Sequence, residues 1–96
     1  MDLREIRERI DEVDEQLVKL FCERMSLVAL AGAAKWRQGL PLSDTAREQE
    51  ISARTAKLAG RELAAYARRF FSVLFSISKD YQVSRAAVDR WTEQSK

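Results

Sequence analysis

Residues Leu3 to Gln38 carry a heptad seam that leaves little freedom in how this chain folds. With the heptad started at Leu3, position a holds Leu3, Ile10, Leu17, Arg24 and Ala31, and position d holds Ile6, Val13, Leu20, Leu27 and Ala34. Nine of these ten are apolar, and the tenth is Arg24. A repeat of this period specifies one amphipathic helix that packs lengthwise on other helices. At about 1.5 Å per residue the helix is roughly 54 Å long, whereas a compact domain of this size has a radius of gyration of only about 12–13 Å. The chain cannot cover such a helix by itself, so the seam calls for a partner chain.

The helix ends where Gly39, Leu40 and Pro41 withdraw helical geometry and a backbone donor. A start signal follows at once, with Asp44 or Thr45 as N-cap and Glu48 placed to complete a capping box with Thr45. The second helix spans about 45–59 and stops at Gly60. A third, over about 61–91, carries Leu63, Ala67, Phe70, Leu74, Ile77 and Tyr81 on one stripe. Nothing alternates with period two, and no repeat or linker divides the chain. The expected architecture is all-α: a single domain over 1–96, with a long helix over 3–38, a short one and a long one.

Composition removes most familiar chemistries. The chain has 96 residues, no His and one Cys, so a zinc site, a Ser-His-Asp triad and a Cys-His pair are excluded. Its 3 glycines are scattered and form no phosphate loop. The net charge is only +2, with basic and acidic residues interleaved, which argues against nucleic acid as a partner. With 33% charged residues and no signal-like segment ahead of the first helix, the chain reads as a cytoplasmic protein with no membrane partner.

What remains is polar residues on faces that a bundle should bury. Arg24 interrupts position a, while Arg7 and Lys35 both fall at position e. A buried cation costs several kcal/mol unless it meets an anion, reaches water or binds a ligand. Taken singly, each has a plain reading: Arg24 sets the register, Arg7, Lys35 and Arg47 are solvated charges, and Asp44 and Glu48 cap a helix. Ser78 and Gln82, spaced i, i+4 on a face shared with Phe71 and Phe75, read as a hydrogen-bonded pair.

Taken together they form a frame: Ile10-Asp11-Glu12-Val13-Asp14, Glu23-Arg24, Lys35, the Gly39-Leu40-Pro41 turn, Asp44-Thr45-Ala46-Arg47-Glu48, and Ser78 to Gln82. This frame resembles the all-α class of chorismate mutases, found alone or fused to prephenate dehydratase, from Leu3 to about Gln82. The resemblance implies an intertwined helical homodimer with sites shared between chains, and an isomerase that turns chorismate into prephenate for phenylalanine and tyrosine biosynthesis. No metal and no cofactor are implied.

By the same resemblance, Arg24 and Arg7 grip the two carboxylates of chorismate, Arg7 arriving from the partner chain. Lys35 and Gln82 donate to the ether oxygen, and these four are the expected catalytic residues. Arg47 supports the anion cluster and orients Glu48, Glu48 and Asp44 hold the ring hydroxyl, and Ser78 touches a carboxylate. Phe75 and Val28 are candidates for the apolar wall, and the segment from Val83 to Lys96 matches nothing. Two other readings stay open: an isochorismate pyruvate lyase of the same fold, and a non-catalytic helical dimerisation module. The module requires buried acids opposite Arg7, Arg24 and Lys35, and the seam supplies only Asp14.

Overall fold

The computed structural model describes residues 1–94. The last two residues of the domain expected over 1–96 lie outside it. Three helices make up the fold, α1 (Leu3–Arg37), α2 (Thr45–Ala59) and α3 (Ala64–Gln94), with no strand among the described residues. Each helix end has a local cause. Asp2 caps α1 by accepting from the Glu5 amide at 2.9 Å. At the other end Gly39 turns into the left-handed region at φ 68°. The Gly39 amide then bonds to Trp36 O at 3.1 Å and the Leu40 amide to Lys35 O at 2.8 Å, the two-bond closure of a Schellman motif.

The N-cap of α2 is Asp44, whose carboxylate accepts from the Arg47 amide at 3.0 Å. Thr45 is therefore the first helical residue, and the expected Thr45–Glu48 capping box does not form; Glu48 is released for another partner. Past α2, Gly60 at φ 87° starts a turn through residues 61–63, so α3 begins at Ala64 and not at Arg61.

The helix α3 is the centre of the arrangement. It packs on both α1 and α2, which do not pack on each other and leave a cleft between them. The molecule measures 58 × 29 × 14 Å with a radius of gyration of 17.1 Å. A compact chain of this length would have a radius near about 12.5 Å. The core is small: Met25, Ile51, Ala56 and Leu74 are the buried apolar side chains among the described residues.

Two apolar faces stand open. One is the seam on α1, where Leu3, Ile6, Ile10, Val13, Leu17, Leu20 and Leu27 are all exposed. The other is on α3, where Phe70, Ile77 and Tyr81 of the expected stripe face outward and only Leu74 is buried, while Leu63 is exposed in the turn just ahead of the helix. The inward face of α3 is instead the one that carries Phe71, Leu74, Phe75, Ser78 and Gln82. A helix apolar on two faces can serve its own chain with only one. No helix among the described residues is long and apolar enough to cross a membrane.

Candidate active site

Arg24 leaves the seam by turning toward α3. Its Nη1 donates to Ser78 Oγ at 2.9 Å, and Ser78 Oγ donates its one proton to Leu74 O at 2.7 Å. The hydroxyl is thus fixed in orientation, with its lone pairs left for the guanidinium. Burial lowers the Arg24 pKa from its ordinary value, and the nearby positive charge of Arg47 lowers it further. The guanidinium is held charged where its surroundings disfavour charge, the condition in which an added anion binds best.

One turn toward the C-terminus, α1 meets Gln82. The Gln82 Nε2 donates to Val28 O at 3.0 Å, and Gly32 offers bare backbone against the Gln82 stem. Ser78 and Gln82, expected to bond to each other, instead each reach across to α1. Near the end of α1, Lys35 Nζ donates to Leu42 O at 2.9 Å and ties the loop back onto the helix. Both Lys35 and Gln82 keep further N–H groups after these bonds, two on the ammonium and one on the amide.

The α2 wall differs from expectation in its pairing. Arg47 bonds to Glu50 at 2.8 Å on the exposed side, while Glu48 pairs with Lys79 of α3 at 3.0 Å. The residue that engages Glu48 is therefore Lys79 and not Arg47.

These side chains line one cleft of about 270 Å³, formed by Arg24, Leu27, Val28, Ala31 and Lys35 from α1, Leu42 and Asp44 from the loop, Arg47, Glu48 and Ile51 from α2, and Phe75, Ser78, Lys79 and Gln82 from α3. Seven of the eight residues singled out from the sequence are here, together with Val28 and Phe75. Four cations face two carboxylates, a net charge of +2 that suits a dianion. The lining holds no thiol, and its one hydroxyl, on Ser78, spends its proton on Leu74 O. The cleft can bind, orient and stabilise charge, and it holds neither a thiol nor a hydroxyl with a base beside it. A second groove of about 260 Å³ lies on the far side of Gln82, by Trp36, Arg37 and Ala86. Its Arg85 is already paired with Asp89 at 3.3 Å, and it shares only Gln82 with the convergent set.

Arg7 is the residue the fold does not bring in. It is exposed on α1, 17 residues before Arg24, which places it about 25 Å away along the helix. Sequence reasoning missed Leu27, Ala31, Leu42, Ile51 and Lys79. The first four carry no chemistry to notice, but Lys79 follows Ser78 and precedes Gln82 by three, a signal in the sequence itself.

Residues 6–83 match the family model for chorismate mutase type II. The chain is 43% identical over 56 residues to a chorismate mutase of Methanocaldococcus jannaschii, a match covering 58% of this chain and 57% of that protein. It is 40% identical over 63 residues to a T-protein of Haemophilus influenzae, covering 66% of this chain and 15% of the relative. A bifunctional chorismate mutase/prephenate dehydratase of Aquifex aeolicus is 35% identical over 57 residues, covering 59% of this chain and 16% of the relative. The matched stretch is thus little over half of the first relative and a small part of the other two. No solved structure matches at a comparable level. A match that runs from near the start of the seam past Gln82 spans every cleft residue, and the chain belongs to the chorismate mutase type II family.

Proposed function

We propose that the chain is a chorismate mutase that works as a cytoplasmic homodimer, residues 1–96 forming one mutase domain. The observation that carries this reading is the convergence of Arg24, Lys35, Asp44, Arg47, Glu48, Ser78 and Gln82, from three helices, on one cationic cleft. Chorismate is a dicarboxylate, and its rearrangement to prephenate is a unimolecular [3,3] shift. Such a reaction asks only that the chair-like conformer be held and that charge on the breaking ether C–O bond be stabilised.

The roles follow from the donors. Arg24, set by Ser78, takes one carboxylate through its planar fork. Lys35 and Gln82, each anchored through one N–H to a backbone carbonyl, aim their remaining N–H groups at the ether oxygen as negative charge builds there. Glu48, with Asp44 beside it, accepts from the ring hydroxyl, and Arg47 adds positive potential at the rim. Val28 and Phe75 form the apolar wall that limits water.

The second carboxylate is assigned to Arg7 of a second copy, in an intertwined dimer. Three observations support this: Arg7 lies far from its own cleft, the seam that carries it is exposed, and α3 presents a second apolar face. Cys22, exposed and free, suits a reducing compartment.

Chorismate consumption followed by absorbance, alongside sizing, tests the reading. A dimer that converts chorismate to prephenate is expected. Release of pyruvate from isochorismate without chorismate turnover would assign a lyase, and inactivity on both substrates would leave only a dimerisation module.

A further inference from the structure

Lys79 stands in the cleft wall without a place in the chemistry assigned above. Its ammonium lies 3.0 Å from the Glu48 carboxylate, and the pair bridges α3 to the first turn of α2 at the rim. The two side chains are 42% and 25% exposed. An ion pair this open contributes little to folding. Its effect on the cleft is of another kind. Glu48 is a flexible carboxylate in a site built to attract carboxylates, with Arg24, Lys35 and Arg47 on the same lining. Left to itself it would lean toward those cations and occupy the space of a substrate carboxylate. Asp44 cannot stray in this way, because its carboxylate is bound to the Arg47 amide at 3.0 Å.

We infer that Lys79 is a positioning residue that pins Glu48 to the α3 side of the cleft, so that Glu48 meets the ring hydroxyl and does not compete with the substrate for the arginines. The inference rests on the mutase reading and adds to it a residue that acts through Glu48 on substrate binding. The pair forms only because Asp44, and not Thr45, caps α2 and leaves Glu48 free. It couples the α2 and α3 walls without placing Lys79 on the reacting atoms.

The test is a cycle of Lys79→Met, Glu48→Gln and the double variant, with steady-state kinetics on chorismate, titration with prephenate where turnover is low, and thermal unfolding of each. Lys79→Met should raise KM by about three- to tenfold with kcat changed far less. Lys79→Arg should restore the original KM. In the Glu48→Gln background, Lys79→Met should leave prephenate affinity unchanged, since no carboxylate remains to restrain.

Prephenate affinity that still falls in that background would overturn the inference, because Lys79 would then touch the ligand itself. A lowered Tm with KM unchanged would overturn it too, leaving only a staple between α2 and α3. If the unsubstituted protein neither turns over chorismate nor binds prephenate, the mutase reading fails and the inference with it. Turnover with a KM indifferent to Lys79 removes the inference alone.

Discussion

The Gln82 side chain lies on the bare backbone of Gly32, so close that a Cβ on Gly32 would sit 3.3 Å from Gln82 Cγ. That approach lets the amide reach Val28 O at 3.0 Å and fixes where its other N–H points. Gly32 lies mid-helix, where a glycine costs about 0.5–1 kcal/mol relative to Ala. Gly32→Ala therefore gains helix propensity while pushing Gln82 by a few tenths of an ångström. Misplacement of about 1 Å at a reacting group can cost 10²-fold. The expected result is kcat lower by about tenfold, KM little changed and Tm not lowered, read by kinetics and thermal unfolding. An unchanged kcat would show that Gln82 has slack in its seat.

The role proposed for Gln82 also fixes a pH behaviour. An amide donates to an ether oxygen at any pH, and the chain has no His to titrate near neutrality. Activity should be flat from about pH 6 to 8. Gln82→Glu replaces the donor with a group that donates only when protonated. Burial and the facing Val28 carbonyl both disfavour the carboxylate there. Activity of the variant should rise as pH falls, and a profile as flat as that of the parent would remove Gln82 from the ether oxygen.

Lys35→Ala should lower kcat by on the order of 10²-fold or more, because the proposed role directs its charge at the transition state. The same change also frees Leu42 O and loosens the loop. A Lys35→Met variant, which keeps the stem, separates the two contributions. An effect on KM alone in both variants would place Lys35 in binding only.

The surroundings of Arg24 disfavour its charge. Its pKa is lowered by burial and by Arg47, so the folded state holds the proton less tightly than the unfolded chain does. For a base whose folded pKa is depressed, the charged form costs stability at every pH below that pKa. The cost disappears only at strongly alkaline pH, in the ordinary arginine range, so Arg24 adds no pH dependence to stability through neutrality. Arg24→Met should reduce kcat/KM by at least about 10³-fold while Tm stays level. A large fall in Tm would mean that the bond to Ser78 outweighs the burial of the charge.

The parts of this molecule differ in how far they can be read from the chain. The seam, the Gly39 stop and the Gly60 break are local signals, and α1, α2 and α3 follow from them. Convergence of Arg24 with Ser78 joins positions 54 residues apart, and only the resemblance suggested it. Pairing was least legible. Thr45 and Glu48 satisfy a capping pattern, yet Asp44 competes one residue earlier and wins, because a carboxylate there reaches the Arg47 amide. Glu48 then has two cations on offer, Arg47 beside it and Lys79 across the cleft, and the resemblance points to Arg47, which pairs with Glu50 instead. The outward turn of Phe70 and Ile77 was hidden for a related reason: α3 has two apolar faces, and periodicity does not say which of them its own chain takes.

If each cleft draws on two chains, two inactive variants restore each other when mixed. Arg7→Ala should lose activity by about 10²-fold or more while sizing still reports a dimer. Unfolding Arg7→Ala together with Lys35→Ala at equal concentration and refolding the mixture makes half of the dimers mixed. One of the two sites in each mixed dimer then has both Arg7 and Lys35. Shared clefts should therefore recover about a quarter of the parent activity from two nearly inactive proteins. Activity no higher than the mean of the two variants would contradict it, and would place Arg7 in the service of its own chain.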